Sequence, residues 1–181
     1  PASSVIQKLS LTTRSIEAVM NDLLHQPGFL GTSANWAADM TLVVSTLVAI
    51  LFTIGVILAV RGQYGPHRVV QTIAAIINAI LVLWLMILPF RDFVAPPDNP
   101  AMLPESAILT TRIHAAVGFT ALVFGLFVTL RGNGLVPKFL QFNNYKAFMR
   151  VAYVLYMLAT LIGLFVYITW FVGNPTPPTY Q

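Results

Sequence analysis

An all-α membrane protein, a four-transmembrane-helix antiparallel bundle preceded by an amphipathic interfacial helix, is the fold this sequence predicts. Three observations predict it. Of 181 residues 57% are hydrophobic and only 9% charged, whereas a soluble domain is about a quarter charged. Four apolar runs, at about 41–60, 68–90, 107–130 and 149–172, each have the roughly 20 residues that a helix needs to cross the hydrocarbon. Because the runs are unbroken, they do not alternate as the strands of a transmembrane barrel would, and a helix is the other way to satisfy a backbone in lipid. The third observation is charge. Arg61 and Arg68 flank the loop after the first run, and Arg131, Lys138, Lys146 and Arg150 occupy the loop after the third, with no acidic residue in either. Lys and Arg are retained on the cytoplasmic side during insertion, so both loops are expected inside and both termini outside.

The chain divides into an interfacial helix and re-entry turn (1–36), the bundle (37–172) and an extended Pro-rich tail (173–181). Val5, Ile6, Leu9, Ile16, Val19, Met20, Leu23 and Leu24 recur among polar positions at helical spacing, which predicts an amphipathic helix on the outer surface. Gln26–Trp36 follows as a turn in which Pro27, Gly28 and Gly31 bend the chain back toward the bilayer. Asp39 then stands at the start of the first span, where a carboxylate near the positive end of the helix dipole predicts a capping role.

In the first inner loop Pro66 suits the opening turn of span 2, where its missing N–H goes unneeded. Residues 91–106 carry four prolines and are expected to be irregular. Spans 1 and 3 end AVRG and TLRG, a faint echo that would suit a parallel two-helix repeat. Each span also holds two small residues four apart: Ser45 and Ala49, Ala75 and Ala79, Ala121 and Gly125, Ala159 and Gly163. Such pairs let helices approach closely, which predicts that they face the bundle interior.

The formal charge of +4 sits beside the spans, so Arg61, Arg68, Lys138, Lys146 and Arg150 are expected at lipid headgroups and no nucleic-acid partner is expected. The absence of cysteine excludes disulfides, thiolate ligands and a thiol nucleophile. No Asp, Glu, Lys or Arg lies in the middle of a span, which argues against a pump or transporter. With no Ser-His-Asp, paired-carboxylate or phosphate-loop pattern, the chain is expected not to be an enzyme. Asn78, about three turns into span 2, is expected to pair with a carbonyl or hydroxyl on another helix. A quinone or pigment contact is the alternative.

Three histidines remain as candidate cofactor ligands. His67 opens span 2 on the inner side and His114 opens span 3 on the outer side, so about 30 Å of hydrocarbon separates them. They are not a ligand pair. His25 shares the outer side with His114, and Met40 or Met102 would add a sulfur ligand, which outlines a b-type haem or copper site. The plainer expectation is that these are interfacial histidines, that His67 contacts a headgroup, and that no cofactor or metal is bound.

GFLGT at Gly28–Thr32, Asp39, His67-Arg68, Asn78, Met86 with Pro89-Phe90, His114, Asn144–Lys146 and Met149-Arg150 together resemble a bacterial family of small four-span membrane proteins that includes assembly factors for haem-copper cytochrome oxidase. The resemblance covers Gly28 to about Trp170. It implies a multi-pass protein of the bacterial inner membrane, a non-catalytic subunit or assembly factor beside respiratory or photosynthetic electron-transfer complexes. Some similar proteins carry a histidine where this chain has Tyr145, and here a lipid-facing anchor is expected at that position. The alternatives are a haem or copper carrier using His25 and His114, and a lipid or quinone binder using Asn78, Ser45, Thr46 and Thr53.

Overall fold

The computed structural model describes residues 26–95, 103–141 and 143–173, with the side chains at 88, 92 and 93 left aside. Its long elements are helices: α1 (Trp36–Val60), α2 (Tyr64–Leu81, continuing as helix to Val94), α3 (Glu105–Gly132) and α4 (Tyr145–Tyr167, continuing to Val172). Four segments, Trp36–Val60, Tyr64–Met86, Glu105–Gly132 and Tyr145–Val172, are long and apolar enough to cross a membrane. The helix expected before His25 and the tail beyond Gly173 lie outside the described residues.

Each helix starts two to five residues before its apolar run, because capping and turn residues extend it. Asn35 caps α1, its Oδ1 accepting from the Ala38 N–H at 2.9 Å. At the other end Gly62 takes φ 75°, a left-handed conformation that glycine enters without steric cost. The Gly62 and Gln63 N–H groups then return to the Ala59 and Leu58 carbonyls, closing a Schellman motif. α3 ends the same way on Gly134 (φ 75°), with Gly134 and Leu135 returning to Arg131 and Leu130. The echo of AVRG and TLRG is out of register at the caps: Gly62 takes the left-handed cap position after α1, whereas its counterpart Gly132 is the last residue of α3 and Gly134 takes that position.

Pro66 falls in the first turn of α2, as expected. Further on, the helix persists through Pro89 to Val94, so the irregular loop expected from residue 91 begins later. Wider π turns at Val82–Met86 and Phe90–Val94 flank the proline. Such turns absorb a missing donor and a displaced carbonyl without ending the helix. A third π turn, Ile168–Val172, ends α4.

The helices pack as two hairpins, α1 with α2 and α3 with α4, which also meet through α1–α4 and α2–α3 contacts. Val48, Ala49, Ala74 and Tyr156 form one buried cluster, with Phe52 set edge-on to Tyr156 at 4.6 Å between ring centroids. A second, of Val94, Leu103, Ala107 and Trp170, lies at the end opposite the basic loops, the distal end. Large apolar side chains such as Ile57, Ile76, Phe119 and Leu161 are exposed on the outside. That inverted surface is consistent with a multi-pass membrane protein.

Candidate functional site

The distal end is held by one carboxylate. Asp39 is completely buried. Its Oδ2 accepts from the backbone N–H groups of Phe29 (2.6 Å) and Leu30 (2.7 Å), and its Oδ1 from the Tyr167 hydroxyl (2.5 Å). Tyr167 also meets the Thr32 hydroxyl at 2.7 Å. The re-entry turn is closed at its base by Trp36 N–H to the Gln26 carbonyl and Gly28 N–H to the Ala34 carbonyl. A Cβ at Gly28 would collide with the Asp39 carboxylate, so glycine is required there. Asp39 thus clasps a loop to α4, and the helix is capped instead by Asn35. This corrects the capping role expected for Asp39. Hydrogen bonds to a charged acceptor contribute roughly 1.5–3 kcal/mol each, enough to fix a loop that leaves Phe29 and Leu30 exposed.

Below the clasp, all four helices surround a cavity of about 670 Å³. α1 contributes Thr41 and Ser45, α2 Asn78 and Phe90, α3 Thr111 and His114, and α4 Tyr156, Thr160 and Trp170. The π turns all border it, through Val82 and Met86, Phe90 and Val94, and Trp170 and Phe171.

Most polar groups in this wall are already engaged. Thr41, Ser45, Thr111 and Thr160 donate to carbonyls within their own helices. Tyr156 donates to the Ser45 carbonyl (3.2 Å), and Trp170 Nε1 donates to the Thr111 hydroxyl (3.0 Å). Asn78 differs. It is 8% exposed and lines the cavity, yet among the described residues its amide has no hydrogen-bond partner. No described residue supplies the interhelical partner expected for it.

His114 stands more than two turns inside α3, since the helix begins at Glu105. It is not at the helix opening. Its imidazole presses on α4 at Gly163, where an added Cβ would lie 2.8 Å from Cε1. Nδ1 is buried without a partner. Of the other members of the expected outer haem or copper site, His25 and Met102 lie outside the described residues, and Met40 on α1 does not line the cavity that His114 borders. Among the described residues no cluster of three or more His, Asp or Glu is placed to hold a metal ion.

At the basic end His67 is buried, its Nδ1 donating to the Gly55 carbonyl at 2.7 Å. It joins α2 to α1 and does not face a headgroup. Tyr145 folds onto Gly132 and donates to the Val128 carbonyl at 3.4 Å, so it turns toward α3 where a lipid-facing anchor was expected. Arg61, Arg68, Lys138, Lys146 and Arg150 are exposed at this end. Of the small-residue pairs, Ala49, Ala75, Ala121 and Ala159 are buried, whereas Gly125 faces open space.

Tyr167, Thr32 and Trp170 escaped the sequence reading, because their partners lie on distant segments. Asp39 beside a glycine-rich turn was the one available signal.

The fold and its cavity define a class: an all-helical chain with four candidate spans and a chamber between them. No family model, curated protein or solved structure matches this chain.

Proposed function

We propose that this chain is a non-catalytic integral subunit, or an assembly or stabilising factor, of a respiratory or photosynthetic electron-transfer complex related to haem-copper oxidases. It would sit in a bacterial plasma membrane with its basic end toward the cytoplasm and both termini outside. The observation that carries this reading concerns the residues of the family resemblance. The GFLGT string and Asp39 form the distal clasp, while Asn78, Met86, Pro89, Phe90 and His114 line one cavity. These strings, scattered through the sequence, thus belong to two structural units, while His67-Arg68, Asn144–Lys146 and Met149-Arg150 lie apart at the basic end. The clasp holds Phe29 and Leu30 outward, 52% and 43% exposed. A rigid loop presenting apolar side chains is suited to docking a partner, because little entropy is lost when it binds.

The test is purification from native membranes in mild detergent, with mass spectrometry of the co-purifying subunits. Subunits of a terminal oxidase or photosynthetic complex are expected, and fewer of them after Phe29→Asp and Leu30→Asp together. A chain that never migrates with such a complex would defeat the proposal. Orientation has its own measurement: a membrane-impermeant amine reagent should leave Lys138 and Lys146 unlabelled in intact cells.

A further inference from the structure

We propose that the cavity between the four helices binds the head group of a quinone or quinol, with the Asn78 amide as its hydrogen-bonding contact. The proposal stands whichever complex the chain joins. Its volume, about 670 Å³, falls within the roughly 300–1,000 Å³ of small-molecule sites. Phe90, Tyr156, Tyr167 and Trp170 line it with aromatic rings, against which a planar ring packs well. Asn78 is more than nine-tenths buried and has no partner among the described residues. A buried amide left in that state is costly, so a ligand that satisfies it is bound selectively.

The chemistry of the wall narrows that ligand. The cavity's hydroxyl protons already go to carbonyls or, at Tyr167, to the Asp39 carboxylate, so the Asn78 amide is the wall's free donor for an incoming acceptor. An acyl chain fills space but leaves the amide unpaired. Among the lining residues Arg112 alone is charged; it is exposed and donates to the Val94 carbonyl, so a charged head would enter without a buried counter-charge. Haem would call on His114, whose ring is turned against Gly163. A neutral ring bearing carbonyls or hydroxyls meets every condition. An amide also offers one donor and one acceptor side, so Asn78 donates to a quinone carbonyl and accepts from a quinol hydroxyl.

Titration of the purified chain in detergent with decylubiquinone, and separately with a short-chain menaquinone, tests this through quenching of tryptophan fluorescence, since Trp170 lines the cavity. Saturable quenching by at least one probe is expected. Asn78→Leu should weaken it about tenfold, the worth of one hydrogen bond in an apolar site. Gly118→Leu provides a second probe that spares Asn78. Gly118 lines the cavity, and a Cβ there meets nothing within 4 Å, so leucine fills the space and should abolish binding in a chain of unchanged helicity. His67→Phe, remote from the cavity, should bind as the parent does. No saturable quenching by either probe, equal affinity in Asn78→Leu and Gly118→Leu, or a lipid extract in which a phospholipid occupies the site and neither probe displaces it would each overturn the proposal.

Discussion

The two halves of the bundle differ in how completely their polar groups are paired. Toward the basic end the interhelical polar groups find each other: His67 with the Gly55 carbonyl, Gln71 with the Phe52 carbonyl, Thr53 with Tyr153, and Asn133 with Thr72. Small residues make these approaches possible, since a Cβ at Gly55 would strike Gln71 and one at Gly132 would strike Tyr145. Toward the distal end the helices widen into π turns that border a half-open cavity. There, among the described residues, His114 Nδ1 is buried without a partner and the Asn78 side chain borders the cavity, while the Asp39 carboxylate clamps the rim. One half is built for cohesion. The other gives up packing for space, and groups that reduce stability persist where they serve a site.

The largest effect should come from breaking the clamp. Asp39→Ala removes the acceptor for two backbone N–H groups and the Tyr167 hydroxyl, which predicts a loss of about 3 kcal/mol or more. The melting temperature in detergent should fall, and proteolysis should open residues 26–35 while the basic-end loops keep their resistance. Uniform loss of resistance at both ends would mean that the halves are one cooperative unit.

Next in size is Gly163→Ala. The new Cβ would lie 2.8 Å from the His114 ring, so the imidazole or the helix must move, a strain of about 1–3 kcal/mol. Gly125→Ala is the matched control on α3. Its Cβ meets nothing within 4 Å, and alanine in a helix should stabilise by about 0.5–1 kcal/mol. Thermal denaturation of both variants checks the sign. If both shift alike, the close approach of His114 to α4 is not what sets the geometry of the distal half.

Spans, basic loops and the re-entry turn were legible in the sequence because each is encoded locally. Length, hydropathy and glycine position suffice for them. The clasp was not, since the partners of Asp39 lie ten residues before it and 128 residues after it. Depth misled at His67 and His114. A histidine near the edge of an apolar run reads as interfacial, yet helices that extend past those runs carried both inward. Asn78 was singled out as needing a partner. That its surroundings would be a void was not readable, because a cavity is defined by what four separate helices fail to fill. The π turns left no mark either, except for Pro89 beside two of them.

His67→Phe asks whether the cohesive half depends on any one contact. The ring keeps its volume but loses the bond to the Gly55 carbonyl. That carbonyl can still accept from the helical N–H four residues on, so no acceptor is stranded, and about 1 kcal/mol should be lost. Denaturation of the variant in detergent measures this, and a loss as large as that of Asp39→Ala would reverse the contrast between the halves.

Tyr153→Phe should have the smallest effect. The Tyr153 hydroxyl lies 3.1 Å from Thr53 Oγ1, but Thr53 also donates to the Ala49 carbonyl at 2.8 Å. Tyr153 is therefore the donor between the two hydroxyls, and removing it leaves the Thr53 proton engaged. Interhelical hydrogen bonds in membrane proteins average about 0.6 kcal/mol, and a half-buried pair should not exceed that. The double variant with Thr53→Val completes a cycle. A coupling energy near that value would make the cohesion of the basic half the sum of several weak, separately dispensable contacts, whereas the distal half adds the strong Asp39 clasp to its Tyr156–Ser45 and Trp170–Thr111 contacts.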